Sequence, residues 1–547
     1  MSKPFLNWAG KAERLSFDVP TMPLFIHERL STKAIIETLS GHRRDKQETM
    51  FDLFGDPQHS IADQMLRAYE HRDKWVNRMV LGDSLVVMNS LLGYEGLGGQ
   101  VQMIYIDPPY GVKFGSNFQP FVRKRQVEHN DDDDMTREPE MVQAYRDTWE
   151  LGAHSYLTYM RDRLLLARDL LTPSGSIFGQ ISDENIHHLR ELLDEVFGVE
   201  NFVSQIAFVR GGSQTTEAGT PSVLDFLLWY ARDAERLKPH KLWLADGGWA
   251  ARFEDIWVEE SDGTRRREQP ADQDNDKLRR FTHRSLESAR NTGSQLNKFK
   301  IEFEGRPYRP NRGWSTTPDG VERLRENRRL LAKGNGIRFV VYLDDFPYSM
   351  LTNNWQDTIE SFGNKKLYVV QTARRVIERC MLMTTSPGDL VVDPTCGSGT
   401  TAFVAEQWGR RWITVDTSRV PLALARQRLL TATFPWYELK DENGGPASGF
   451  VYRRKQNKKG EEIGGIVPHV TLETIANNEP PKEEVIVDRP DKASGVVRVT
   501  GPFCLEATIP TPVDWGGQDD PNEIGAGADG HSWTACSKLY AEVRCCA

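Results

Sequence analysis

Residues 101–110 read Val-Gln-Met-Ile-Tyr-Ile-Asp-Pro-Pro-Tyr. A short, β-branched apolar run bounded by turn residues suits a strand covered on both faces of a parallel sheet. The strand stops at Asp107. Pro108 and Pro109 fix φ and lack an N–H, so the backbone beyond is stiff and the Pro108 carbonyl is available as an acceptor. A carbonyl beside a carboxylate makes a two-acceptor clamp for an amine with two N–H bonds, and Tyr110 adds a flat face for a planar ring. An exocyclic amino group on a nucleobase has that shape. A proline turn with a rim tyrosine would read the same way, so the tetrapeptide decides nothing until a second motif is found.

That motif is at residues 388–401, Gly-Asp-Leu-Val-Val-Asp-Pro-Thr-Cys-Gly-Ser-Gly-Thr-Thr, followed by a helical stretch over 402–408. Strand, glycine turn and helix start occur in the order that aims backbone N–H groups and a helix dipole at a ligand. Gly397 and Gly399 permit close approach. The next strand, 412–415, ends at Asp416, where a carboxylate can accept both hydroxyls of a ribose. Asp393, at the end of the first strand, favours a ligand with a positively charged amino-acid part. A nucleoside carrying an amino acid is S-adenosylmethionine. Asp83 follows a strand-like run and precedes an apolar helix, and it is read as that helix's N-cap or as a ligand contact, two compatible roles.

The remaining chain fills in around these motifs. At 547 residues it has room for two to four domains, and 39% hydrophobic with 27% charged residues is an ordinary globular balance. No apolar run approaches a membrane span and the N-terminus lacks an apolar signal core, so the expectation is a cytoplasmic protein with no membrane partner. Six cysteines without C-x-x-C spacing or a neighbouring histidine indicate neither a metal site nor a disulfide framework.

Residues 1–75 are read as a helical leader, with helical spacing at 32–40 and 61–72. Residues 76–231 alternate as a doubly wound α/β sheet requires: helix 149–171, turn 172–175, strand 176–181, helix 183–197, and strands 202–209 and 223–230. A second half at 349–435 contains a helix over 367–384 and the glycine motif. Residues 436–514 are read as an accessory region, helical at 468–477 and strand-like at 496–510, and 515–547 as a disordered tail.

Between the two halves, over 232–348, the alternation stops. From Arg265 to Arg338 there are 19 Lys or Arg against 10 Asp or Glu, a local +9 inside a chain of −9. Arg265, Arg266, Arg267, Arg279 and Arg280, interleaved with Phe281, Phe299, Tyr308 and Trp314, suit a phosphate-contacting surface, although a solvated face would have the same composition.

The two motifs, in this chain order, resemble the β-class DNA amino-methyltransferases, whose target-recognition region lies between them. The resemblance covers residues 76–430, and 149–171 and 182–201 are similar to larger members akin to modification subunits of type III restriction systems. It implies a circularly permuted, mostly parallel, seven-stranded Rossmann-like sheet with an inserted recognition domain and a mixed C-terminal extension. It implies that Asp393, Cys396, Gly397 and Gly399, with Pro394 and Thr400 in the same loop, surround the methionine part of S-adenosylmethionine, that Asp416 takes the ribose, and that Asp83 touches the adenine edge. Asp107, Pro108, Pro109 and Tyr110 would hold a flipped base, with Phe114 and the five arginines on the DNA side. Asp at the first tetrapeptide position resembles adenine-N6 enzymes more than cytosine-N4 ones. The chain departs from many relatives at 365–372, Lys-Lys-Leu-Tyr-Val-Val-Gln-Thr, where they carry Lys-Pro. Implied partners are double-stranded DNA and a restriction or helicase subunit, with a homodimer left open. A cytosine-N4 enzyme, an RNA or protein methyltransferase, and a nucleoside-binding module without methylation remain as alternatives.

Overall fold

Strands drawn from both ends and the middle of the chain meet in one sheet. A computed structural model describes residues 6–8, 11, 19–45, 65–108, 153–210, 222–245, 255–272, 275, 278–288, 297–359, 372–458 and 460–509. The main sheet has ten strands: β1 (Phe25–Leu30), β2 (Asn77–Leu81), β3 (Val101–Ile106), β4 (Leu171–Ile181), β5 (Phe202–Val209), β6 (Leu224–Ala231), β7 (Asn354–Trp355), β8 (Leu390–Asp393), β9 (Arg411–Asp416) and β10 (Phe503–Ala507). Their order in space is β1-β10-β2-β9-β8-β3-β4-β6-β5-β7. From β10 to β4 every neighbouring pair is parallel. β6 runs antiparallel to β4 and β5, and β1 antiparallel to β10.

Side chains alternate across β3 as the pleat requires. Met103 and Tyr105 join the core on one face, and Ile104 and Ile106 join the core on the other. Among the described residues, the longer helices are α1 (Thr32–Asp45), α2 (Ser84–Gly93), α3 (Ala153–Leu170), α4 (Ile186–Phe197), α5 (Pro318–Glu326), α6 (Arg374–Thr384), α7 (Thr400–Gln407) and α8 (Arg419–Thr431). Residues of α1, α6, α7 and α8 pack on the Met103 face, and those of α2, α3 and α4 on the Ile104 face. A sheet covered on both sides explains the nearly continuous apolar run of β3. Among the described residues no helix is long and apolar enough to cross a membrane.

Several expectations need correction. The sheet has ten strands, not seven, because the chain ends supply β1 and β10 and a short β7 lies beside β5. Among the described residues of 1–75, α1 is helical, but Phe25–Leu30 is a strand, and Met65–Arg67 pairs in parallel with Val496–Arg498 where a helix was expected. Pairing across more than 400 residues overrides a weak helical spacing. Thr172 to Gly175 lie within β4, and the pairing with β3 shifts between Val101 and Met103, an irregularity that tolerates Pro173. The helix expected at 468–477 is reduced to Leu472–Ala476, preceded by the strand Ile466–His469. Helix α6 starts at Arg374, and residues 360–371 lie outside those described, as do 515–547.

The insertion leaves and returns through a two-stranded neck, Trp243–Leu244 paired with Ser349–Met350. Beyond it lies an antiparallel sheet in the order Arg265–Arg267, Trp257–Glu259, Arg279–Ser285, Gly336–Tyr342, Leu330–Lys333. Helix α5 packs Val321 and Leu324 on one face of it, against Leu330, Ile337 and Phe339.

At the amino ends of the parallel strands, Glu406 is buried and accepts hydrogen bonds from Asn77 Nδ2 (2.9 Å), Trp412 Nε1 (2.9 Å) and the Gly501 N–H (3.1 Å). Arg498, fully buried, lies 3.5 Å away. Burial pushes the Glu406 carboxyl up, and the Arg498 charge and the three donors pull it back. Glu406→Ala leaves that guanidinium without its carboxylate partner, and we expect a loss of about 3–5 kcal/mol in denaturant unfolding.

Candidate active site

Four aspartates stand at the carboxyl ends of four consecutive parallel strands. Asp393 ends β8, Asp416 ends β9, Asp107 follows β3 and Asp83 lies just past β2. Strands β8 and β3 adjoin, yet the chain leaves them in opposite directions: from β8 it passes through α7 to β9, and from β3 it reaches β4 by way of α3 on the other face. This is a topological switch point, where an open α/β sheet leaves a crevice.

Thr395 closes the junction. The Asp107 N–H donates to Thr395 Oγ1 at 2.9 Å, although the two residues are 288 apart in sequence. The same hydroxyl lies 3.1 Å from Asp393 Oδ1, which also accepts from the Thr395 N–H at 2.9 Å. One side chain therefore links the backbone of the first motif to the carboxylate of the second. Asp393 is buried, and burial pushes its carboxyl above the usual range while the Thr395 hydrogen bonds act in the other direction.

Asp416 accepts from the Gly397 N–H at 3.0 Å and the Ser418 N–H at 2.9 Å. Gly397 adopts φ 51°, a left-handed backbone, and the position of a Cβ there meets only Thr395 O, at 3.9 Å. Gly399, at φ 70°, caps α7 without a side-chain hydrogen bond, and a Cβ there would come within 2.6 Å of Ala425 on α8. The first glycine thus serves conformation and an open face, and the second serves helix packing. Pro394 and Thr400 are buried, and Thr400 Oγ1 accepts from Arg428 at 3.1 Å. Cys396 is buried beside Asp416 and Asp393; burial and both charges push its thiol well up, which makes it a packing residue rather than a nucleophile.

Asp83 is the N-cap of α2, accepting the Leu85 N–H at 2.6 Å, and it pairs with Arg163 Nη2 at 2.7 Å. Three residues that the sequence did not single out converge on Asp107. Thr372 Oγ1 lies 3.1 Å from Asp107 Oδ2, Gln180 Nε2 lies 3.0 Å from Thr372 Oγ1, and Tyr105 Oη donates to Gln180 Oε1 at 2.5 Å. A glutamine inside the apolar run of β4 was the one available signal. Pro108 is buried; Pro109, Tyr110 and Phe114 lie outside the described residues.

In the insertion the five arginines each meet a carboxylate. Arg265 bonds Glu259 at 2.6 Å, Arg266 bonds Glu260 at 2.8 Å and Asp272 at 2.6 Å, and Arg280 bonds Glu268 at 2.7 Å. Arg279 pairs with Asp344 at 3.0 Å while lying over the Tyr342 ring, and Arg267 approaches Asp255 at 3.4 Å with 68% of its side chain exposed. Each of these cations has a carboxylate partner within the insertion, and Arg267 and Arg279 stay the most exposed of the five. The local +9 stops short of its partners, since Asp255, Glu259 and Glu260 precede the interval counted and Asp344 follows it.

Residues 101–427 match the family model described as DNA methylase. The chain belongs to the DNA methylase family. This methylase is 25% identical over 347 residues to the type II methyltransferase M.EcaI of Enterobacter cloacae, a match covering 62% of the chain and 67% of that protein. It is 31% identical over 171 residues to the Mod subunit of the type III restriction-modification enzyme StyLTI of Salmonella typhimurium, covering 30% of the chain and 25% of the subunit. The match thus spans two thirds of the first relative and a quarter of the second. Among solved structures, the cytosine-N4-specific PvuII DNA methyltransferase is 15% identical over 64% of the chain and 86% of its own, with a TM-score of 0.30, too low to carry an argument.

Thr395→Val removes the acceptor of the Asp107 N–H. We expect exchange of that amide with solvent to accelerate, by an amount equivalent to about 1–3 kcal/mol of lost protection, in hydrogen-exchange measurements.

Proposed function

We propose that this DNA methylase transfers a methyl group from S-adenosylmethionine to the N6 amino group of adenine in duplex DNA, as the modification component of a restriction-modification system. The observation that carries the reading is the Asp107–Thr395–Asp393 junction, where an amine acceptor and a cofactor-loop carboxylate meet at a switch-point crevice. The seven consecutive strands from β2 to β5 are read as the methyltransferase sheet, with β1, β10 and β7 as additions.

The residues present suit the cofactor. Asp393 and Asp416 supply acceptors on neighbouring strands, Gly397 leaves an open face beside them, and the first N–H groups of α7 lie where Gly399 offers no side-chain cap. When bound, S-adenosylmethionine supplies an electrophilic sulfonium methyl. The chain does the rest by positioning. Asp107 and the Pro108 carbonyl accept the two N6–H bonds, which turns the nitrogen lone pair out of conjugation and aims it at the methyl. Tyr110 offers the stacking face that compensates part of the few kcal/mol needed to unstack the base. A restriction or helicase subunit and a second copy of the chain are the partners this reading allows. The charge paired inside the insertion favours a DNA contact concentrated on fewer cations, Arg267 being the most exposed of the five arginines named above.

Asp107→Ala should abolish methyl transfer to duplex DNA while cofactor affinity, measured by calorimetry, stays within about threefold, because the cofactor loop belongs to other strands. Asp416→Ala should do the opposite and weaken cofactor binding by roughly 1–3 kcal/mol. Transfer of labelled methyl to RNA or protein in preference to duplex DNA would overturn the assignment.

A further inference from the structure

A chain of buried polar groups ends on the carboxylate assigned to the amine. Tyr105 is 1% exposed and Gln180 3%, near the carboxyl ends of β3 and β4, where apolar side chains would pack without the cost of burying polar atoms. Tyr105 Oη donates to Gln180 Oε1 at 2.5 Å. That fixes the amide with its nitrogen toward Thr372 Oγ1, 3.0 Å away. The Thr372 hydroxyl has one proton, and two acceptors lie within its reach: Asp107 Oδ2 and Gln180 Oε1, each at 3.1 Å. Giving the proton to Gln180 would set oxygen lone pairs of Thr372 and Asp107 against each other at hydrogen-bonding distance. The proton therefore goes to Asp107. The direction runs one way along the chain, from Tyr105 to Gln180 to Thr372 to Asp107 Oδ2.

We propose that Gln180 and Thr372 are positioning residues for the methyl transfer: Thr372 binds one oxygen of Asp107, Gln180 orients the Thr372 hydroxyl, and together they set the plane in which the carboxylate meets the substrate amine. The inference rests on the reading of Asp107 as amine acceptor. A carboxylate free to rotate about its Cβ–Cγ bond would present either oxygen at variable angle, and transfer in line with a methyl donor tolerates little misplacement. The Asp107 N–H, held by Thr395, fixes the backbone of the same residue from the neighbouring strand, and Thr372 acts on its side-chain torsions.

The test compares the full chain with its Thr372→Val, Thr372→Ser and Gln180→Leu variants in transfer of labelled methyl from S-adenosylmethionine to amplified, methyl-free genomic DNA. Thr372→Val and Gln180→Leu should lower kcat roughly tenfold to a hundredfold with cofactor KM within about twofold, and Thr372→Ser should recover most of the loss. A valine variant as fast as the parent, a loss confined to KM, or a serine variant no better than valine overturns the proposal. A parent chain that transfers no methyl to DNA defeats the activity reading instead. The contact is then judged by thermal unfolding of Thr372→Val, Asp107→Ala and the double variant. A shift in the double smaller than the sum of the singles supports the hydrogen bond, and additive shifts overturn it.

Discussion

The architecture hangs on one buried carboxylate at the end of the sheet away from the chemistry. Glu406, at the close of α7, collects donors from β2, β9 and the approach to β10, together with the guanidinium of Arg498. Each donor lies on a different stretch of chain. That point of convergence ties the approach to β10 to α7, in addition to the ladders of β10 with β2 and β1 and the burial of Phe503 against Trp412. Arg498 also lies over the rings of Tyr69 and Phe434, so the same charge fastens the three-stranded sheet of Met65–Arg67, Lys492–Val499 and Thr433–Tyr437. Burying such a group is costly unless its hydrogen bonds are made, and here the carboxylate has four donors.

The opposite end of the sheet follows the reverse logic. Four carboxylates crowd there, and each has a donor that belongs to the fold: Thr372 for Asp107, Thr395 for Asp393, Gly397 and Ser418 for Asp416, Arg163 and Leu85 for Asp83. Strand ends set their spacing and loop N–H groups hold their orientation. Like charges on neighbouring strands repel, and backbone and hydroxyl donors, with one guanidinium at Asp83, offset this.

How much of this could be read from the sequence follows the range of the interactions. β3 with its Asp107 terminus, and the strand, turn and helix around Gly397, are specified by residues a few positions apart, and the structure has them where the patterns indicated. Thr395 and Thr372 carried no signal, because their meaning lies in partners 288 and 265 residues away. The strand-like stretch 496–510 gave no sign, for the same reason, that its later part Phe503–Ala507 pairs with Asn77–Leu81. Composition gave no sign of the ion pairs inside the insertion. Arg265 and Arg279 both stand opposite Glu259 in the ladder, a cross-strand relation that a charge count along the chain cannot register.

The neck at Trp243–Leu244 and Ser349–Met350 makes the insertion look like a cassette that could be exchanged between relatives by cutting at two adjacent points. Its packing says otherwise. Leu472 and Ile475, from far beyond the second cut, pack on the cluster around Val321 and Leu324, and Arg323 Nη1 bonds the Ala476 carbonyl at 2.6 Å. A graft made at the neck alone would leave the outer face of α5 bare to water. The transplantable unit is discontinuous, and a chimera has to bring the segment around Leu472–Ala476 along with the insertion.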